Sequence, residues 1–379
     1  MPQIRMDTPH ELEIFIVAPP GLEAVLAEEV RAAHFAAPRV IPGGVLTNGD
    51  WPEVWRANLV LRGASRVLVR VVAFPAVHLA QLDKRARRVP WGDFLRPDVP
   101  VRVEAACHAS RIYHAGAASE RIGRAITEEL GAPLSPEAAL GLKARFDHDL
   151  CTISLDTSGE GLHRRGHKEA VGKAPLRETL AALFLRACGY DGHETVVDPM
   201  CGSGTIVLEA AEIAAGLAPG RDRSFAFESL AGFDPTAWQS LRATACPPPS
   251  EPPAPRCFGS DRDAGAVAMS QANAARAGVA AWTAFRQAPV SDLAVPEGPP
   301  GLVLVNPPYG TRIGERKSLL PLYQALGRTL LGRFSGWRVG VLTTQSFLAE
   351  ATGLPFGAPV GPVLHGGLHV SLYVTGPLP

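Results

Sequence analysis

Val196-Val197-Asp198-Pro199-Met200-Cys201-Gly202-Ser203-Gly204-Thr205 reads as a strand, a tight loop and the first turn of a helix. The paired valines favour extended backbone. Gly202 and Gly204 carry no side chain, so the loop can take positive φ and lie close to a ligand. The helix that follows offers free N–H groups and a partial positive charge. It can hold a carboxylate as readily as a phosphate. The loop is no P-loop, because Gly-Lys-Ser/Thr does not follow. Nor is it Gly-x-Gly-x-x-Gly, because Thr-Ile-Val follows Gly204. Asp198, at the strand's carboxyl end, can accept bonds from a ligand's amino group or fix the loop.

Outward from this loop, strands alternate with helices. Strands are expected over 195–198, 257–261, 283–287, 302–306, 339–343 and 369–374, and helices over 176–188, 205–215, 263–277 and 319–334. That rhythm predicts a doubly wound α/β sheet. The run CPPPSEPPAP over 246–255 is too rich in proline for an element and reads as a surface loop between the first crossover helix and the second strand. The front half mixes strands over 12–17, 67–74, 99–106 and 150–155 with helices over 22–33, 52–58 and 119–130, and a hairpin-like stretch lies around 40–46. Asp156-Thr157-Ser158-Gly159-Glu160-Gly161 reads as a linker, followed by the basic run His163-Arg164-Arg165-Gly166-His167-Lys168.

Two further strand ends complete a site. The second strand closes on Gly259-Ser260-Asp261-Arg262-Asp263. In a nucleotide-binding βαβ unit an acidic residue here bonds ribose hydroxyls, a role that Asp261 fits. Asp263 reads as the N-cap of the next helix. The fourth strand runs into Asn306-Pro307-Pro308-Tyr309. Ligands of open α/β sheets sit at the carboxyl ends of strands, so this tetrapeptide should face the same crevice. An exocyclic amine on a planar ring is a poor nucleophile, because its lone pair is delocalised. The Asn306 side-chain oxygen and the Pro307 carbonyl can each accept one N–H, which draws the nitrogen toward tetrahedral geometry. The prolines hold those acceptors in place. Tyr309 offers a face for an extruded base, with stacking worth ~1–3 kcal/mol. This chemistry needs neither metal nor charged base.

Composition narrows the classes. The chain has 379 residues, 46 % of them hydrophobic and 20 % charged, which suits two or three folded domains and not a disordered chain. No apolar run of about 18 residues is present, and the first residues lack an apolar signal core. The six cysteines form no C-x-x-C pair, which points away from a zinc site or a disulfide framework and toward a reducing cytoplasm. Lys+Arg and Asp+Glu number 37 each, so bulk charge does not drive nucleic-acid binding.

These motifs together resemble the THUMP-domain RNA guanine-N2 methyltransferases, the group that includes the N-terminal half of the large-subunit ribosomal RNA methyltransferase RlmL. The likeness rests on 173–180, on 198–205, on Ala218-Pro219-Gly220 with Phe225-Ala226-Phe227-Glu228, on Gly259-Ser260-Asp261 and on Asn306 to Tyr309. In the front it rests on 18–23, on Arg56-Ala57-Asn58-Leu59 with 62–67, and on 156–166. It implies a Rossmann-like methyltransferase domain over 161–379, a ferredoxin-like part over 1–60 and a THUMP RNA-binding domain over 61–160. It implies S-adenosyl-L-methionine as cofactor. Asp198, Pro199, Met200, Cys201, Gly202, Ser203, Gly204 and Thr205 would hold the methionine part, Asp261 the ribose, and Arg262 would lie against the adenine. Residues 174–178 would line the cofactor from above. Asn306, Pro307, Pro308 and Tyr309 would grip the target amine. One departure stands out: Pro289 occupies the place where the family often carries an acidic residue for the adenine amino group, leaving a backbone acceptor or Asp292 for that contact.

The resemblance implies RNA as the partner, ribosomal RNA first and transfer RNA as the nearest variant, and a monomer or weak homodimer without metal or membrane contact. Adenine N6 in DNA and a glutamine side chain share the Asn-Pro-Pro-Tyr motif; an RNA-binding assembly factor with a dead site is the non-enzymatic alternative. Local charge supports RNA. Residues 62–88 hold Arg62, Arg66, Arg70, Lys84, Arg85, Arg87 and Arg88 against Asp83 alone. Arg164, Arg165, Lys168, Lys173 and Arg177 crowd the junction, and Arg312, Arg316, Lys317, Arg328, Arg333 and Arg338 follow the tetrapeptide. Of these, Arg85, Arg87, Arg88, Arg164, Arg165, Lys168 and Arg177 are the candidates for a phosphate-binding track.

Overall fold

The computed structural model of the chain describes residues 11–166, 176–246, 252, 254, 256–309 and 319–379, which fall into two units. The first contains the described residues up to Val17, then Val30–Leu162 and Arg223–Ala245. Its strands are β1 (Leu12–Val17), β2 (Ala36–Ile41), β3 (Gly44–Gly49), β4 (Arg66–Pro75), β5 (Val101–His108), β6 (Leu140–Asp147) and β7 (Leu150–Asp156). They form one sheet in the order β2-β3-β1-β4-β7-β6-β5, antiparallel except for β5 on β6. Ile14, Ile16, Val67 and Val69 alternate onto its buried face. Helix α1 (Glu23–Ala32) belongs to the second unit over Glu23–Glu29 and to the first from Val30, and the first unit's other helices in order are α2 (Trp51–Val60), α3 (Leu79–Ala86) and α4 (Ala115–Leu130). Asp50 caps α2 by accepting the Glu53 N–H at 3.1 Å, and Gly131 ends α4 at φ +85°. Because β1 pairs with both β3 and β4, one sheet joins the segments on either side of residue 60.

The stretch 156–161 is not the linker its Gly-Ser composition predicts. Asn58 donates to Thr157 Oγ1 at 2.9 Å, Ser158 Oγ donates to Asn58 Oδ1 at 2.6 Å, and Thr157 and Ser158 also bond the Val67 backbone. All three side chains are buried. This knot satisfies every polar atom it hides, which is the condition for burying them at all. Arg223 closes it from the side by donating to the carbonyls of Glu160 at 2.7 Å and Gly161 at 3.0 Å. After Arg223 the chain lays Phe225, Phe227, Phe233 and Trp238 against Trp55 in an aromatic cluster with centroids 5.0–6.4 Å apart. Helix α7 (Pro235–Ala245) carries Trp238 and is capped by Asp234, which accepts from Thr236 and Ala237.

The second unit contains Ala18–Glu29, His163–Asp222 and Cys246–Pro379. Its helices are α5 (Glu178–Ala187), α6 (Thr205–Ala214), α8 (Ala264–Arg276), α9 (Leu320–Arg333) and α10 (Ser346–Glu350). Its strands are β8 (Val196–Asp198), β9 (Cys257–Asp261), β10 (Thr283–Gln287), β11 (Leu302–Val305), β12 (Arg338–Thr343), β13 (Val360–His365) and β14 (Leu368–Val374), in the order β10-β9-β8-β11-β12-β14-β13. The first five run parallel, and β14 is antiparallel to both neighbours. Every strand and helix expected behind residue 175 is present within two residues of its predicted ends. The order reverses between β8 and β11, where Val197 lies opposite Val303, so the strand leading to Asn306 starts beside the one ending at Asp198. One face of these strands is sealed by α9 through Tyr323, Leu326 and Leu330.

Elements not foreseen are α3, β6, α7, α10 and β13. In β6 the signal was present, because Leu140, Leu142, Ala144 and Phe146 alternate inward. Helix α7 has a single buried side chain, Trp238, too few to show a period.

Candidate active site at the ends of β8, β9 and β11

Asp198 ends β8 at 2 % exposure, with Oδ1 accepting the Met200 N–H at 3.1 Å. Burial, helped by the negative charge of Asp261, pushes its carboxyl up to about 7. The loop then turns through Gly202 at φ +55° and Gly204 at φ +86°. A Cβ on Gly202 would meet nothing within 4 Å, so the backbone there lies open for a ligand. A Cβ on Gly204 would sit 3.0 Å from Ser270 Oγ, so close packing on α8 as well as the positive φ demands glycine. The floor is stitched to α8: Ser270 Oγ donates to the Gly202 carbonyl at 2.9 Å, and Asn273 donates to the Ser203 carbonyl at 3.0 Å. Cys201 N–H donates to the Ser260 carbonyl at 2.9 Å, tying loop to β9, and the buried Thr205 opens α6.

Asp261 does more than its predicted role requires. Its Oδ2 accepts the Gly202 N–H at 3.1 Å and its Oδ1 accepts the Asp263 N–H at 3.0 Å. The carboxylate thus braces the glycine loop while keeping lone pairs for another donor. Asp263 caps α8 by accepting from Gly265 at 2.7 Å, as expected. Arg262 is exposed, with its carbonyl held by Gln287 at 3.0 Å. Asp292 lies exposed in a 3-10 turn just after Pro289.

At the end of β11, Asn306 Oδ1 is buried and has no hydrogen-bond partner. Pro307 is buried, Pro308 exposed, and the half-buried Tyr309 packs with Met200 on the apolar core. One residue escaped the sequence reading. The fully buried Tyr323 of α9 brings its hydroxyl within 3.3 Å of the Pro308 carbonyl and 3.4 Å of Thr343 Oγ1. Its helical spacing marks a core residue, and nothing local in the sequence ties it to the tetrapeptide. Tyr323→Phe should lower kcat a few-fold and cost about 1 kcal/mol of stability, the net worth of one hydrogen bond. Steady-state kinetics and urea unfolding check both.

The candidate phosphate-binding cations divide. Arg165 is not on the surface: it is buried at 2 % and donates to the equally buried Glu209 of α6 at 2.9 Å, so it fastens the chain to that helix. Arg87 is held by Asp83 at 2.9 Å, by Glu128 and by Glu129 at 3.0 Å, a geometry that neutralises it locally. Arg85 lies over the Phe74 ring at 5.8 Å. Arg88, Arg164 and Arg177 are exposed, as are Lys84 and Arg328. Lys168, Lys173, Arg312, Arg316 and Lys317 lie outside the described residues, as do 167–175 and 310–318 in general. Arg66, Arg70 and Arg338 pair with Asp156, Glu13 and Glu194. Much of the basic tally in the sequence is therefore structural. The six cysteines are free. Among the described residues, His108, Asp147 and His148 bring possible metal-ligand atoms within 4.8 Å of one another, and Asp147 already pairs with both imidazoles and with Arg145. No helix of the described residues is long and apolar enough to cross a membrane.

Residues 165–355, half of the chain, match the family described as RMKL-like, methyltransferase domain, and residues 13–68 match the RlmL ferredoxin-like domain. The ribosomal RNA large subunit methyltransferase K/L of Chromohalobacter salexigens is 34 % identical over 361 residues, which cover 90 % of this chain and 49 % of that protein. The chain spans about half the length of the K/L proteins it matches. A crystal structure described as a predicted N6-adenine-specific DNA methylase from Listeria monocytogenes is 30 % identical with a TM-score of 0.86, covering 97 % of both chains. The structure of SMU.472, a methyltransferase by provisional description and complexed with SAH, is 25 % identical with a TM-score of 0.87, covering 98 % of this chain and 99 % of that one.

Proposed function

We propose, from the premise that this chain belongs to the RMKL-like methyltransferase family, that it methylates the exocyclic N2 of a guanosine in large-subunit ribosomal RNA, with S-adenosyl-L-methionine as donor, in the cytoplasm. The observation that carries this reading is the buried, unpartnered Asn306 Oδ1 at the topological switch point. An acceptor withdrawn from water and left unpaired costs about 1–3 kcal/mol, which an incoming N–H returns.

The cofactor supplies an electrophilic methyl group. The chain supplies everything else. Gly202 leaves the loop open, and α6 presents its N-terminus to a carboxylate. Asp198 and Asp261 place negative charge and acceptors at the ends of β8 and β9, which suits an ammonium and ribose hydroxyls. Asn306 Oδ1 and the Pro307 carbonyl take the two N–H groups of the target amine, leaving its lone pair aimed away from the ring. Tyr309 gives the base a face to lie on, and Tyr323 fixes the Pro308 carbonyl behind it. The front unit, a ferredoxin-like part with the THUMP domain proposed over 61–160, holds the RNA through exposed cations such as Arg88.

The test is methyl transfer from labelled S-adenosyl-L-methionine to ribosomal RNA from a strain lacking this protein. N2-methylguanosine in nuclease digests is the expected product. Its absence overturns the reading, N6-methyladenosine in its place moves the target to adenine, and label confined to transfer RNA moves it to that substrate.

A further inference from the structure

Among the described residues, four buried polar atoms without a partner lie toward the carboxyl edge of the second sheet: Asn306 Oδ1 after β11, Thr344 Oγ1 after β12, His365 Nδ1 at the end of β13 and Ser260 Oγ near the end of β9. The first is accounted for by the target amine. The second lies on the neighbouring strand's extension, two residues beyond the position opposite Asn306. Val305 lies opposite Val341, so continuing the register sets Pro308 beside Thr344, across a strand spacing of about 4.8 Å. Tyr323 confirms the adjacency, because its one hydroxyl reaches both the Pro308 carbonyl and Thr343 Oγ1. Sidedness agrees as well. Val303, Val305, Val339 and Val341 face the core under α9, whereas Leu304 and Gly340 meet on the opposite face, where a Cβ on Gly340 would lie 2.7 Å from Leu304 Cδ1. Asn306 and Thr344 continue that second parity.

We infer that Thr344 is a substrate contact, whose hydroxyl bonds the ring nitrogen adjoining the target amine. This rests on the function proposed above. Once Asn306 and Pro307 hold the two amine hydrogens, the neighbouring ring nitrogen is the next polar atom along the base edge. Guanine flanks that amine with N1–H on one side and N3 on the other; the N1–H side faces Thr344, and the hydroxyl accepts its hydrogen while turning its own proton elsewhere. A base whose N1–H lost its water on binding and found no acceptor would keep that desolvation cost, so the contact orients the base as well as binding it.

Thr344→Val removes the hydroxyl and keeps the shape. It should lower kcat/KM for the guanine-containing RNA about tenfold, and Thr344→Ser should restore most of it. S-adenosyl-L-methionine affinity by calorimetry and the melting temperature should stay at the wild-type values. RNA carrying 1-deazaguanine at the target, which has a C–H in place of the N1–H, should be a poorer substrate for the wild type and insensitive to Thr344→Val. An unchanged kcat/KM in Thr344→Val, or an equal loss on both RNAs, overturns the inference while leaving the proposed function standing. A wild-type protein that methylates no guanosine overturns both.

Discussion

Asn306→Ala should reduce methyl transfer about 10²–10³-fold while S-adenosyl-L-methionine binds as tightly as to the wild type. The magnitude follows from removing one preorganised polar group aimed at the reacting atom. The selectivity follows from position. Asn306 Oδ1 has no partner within the protein, so its loss breaks no internal bond. The cofactor loop is braced separately, by Asp261 on Gly202, Ser270 on the Gly202 carbonyl and Asn273 on the Ser203 carbonyl. Single-turnover methylation measured beside calorimetric cofactor binding separates the two effects. If both fell together, Asn306 would be a brace of the loop. If neither changed, methyl transfer would not depend on Asn306, and its role in gripping the amine would fall.

Cofactor affinity should rise with pH up to about pH 7 and level off above it, by close to tenfold per pH unit on the acidic limb. The cause is Asp198, which burial and the Asp261 charge hold protonated to about 7 in the free protein. An ammonium group prefers the carboxylate, so below that pH binding must first expel a proton. The sign for folding is the reverse. A carboxyl raised from its ordinary 3.8 contributes stability that is full below that value and lost as pH rises through about 7. Asp198→Asn keeps an oxygen for the Met200 N–H and removes the charge. It should flatten the pH profile and weaken binding at least about tenfold at pH 8, one unit of binding energy being close to 1.4 kcal/mol. Calorimetric titrations from pH 5.5 to 8.5 decide between this and a purely structural Asp198, for which the variant would bind normally.

What the sequence disclosed is what local chemistry dictates. The strand-loop-helix at Asp198 and the strand into Asn306 are each set by a few consecutive residues, and both were readable. Bonds between distant positions were not. Tyr323 reaches back to Pro308, and Arg165 is drawn inside because Glu209 waits on α6. The segment 156–161 shows the opposite error, since residues typical of a linker pack as a buried knot once Asn58 supplies the complementary groups. In each case side-chain type was legible and its partner was not.

The excursion of Arg223–Ala245 into the first unit bears on how the protein can be made and cut. A ribosome delivers the seven strands of the front sheet by Asp156. Trp55 must then wait for Phe225, Phe227 and Trp238, some 70 residues later by count, before its aromatic cluster can close. Until then Trp55 lacks its aromatic partners, and incompletely covered apolar surface of this kind is what leads nascent chains to recruit chaperones. A fragment ending at Leu162 would carry the whole front sheet and keep that surface bare permanently. The front half of this chain is therefore no detachable cassette: its final layer is encoded inside the half that follows it.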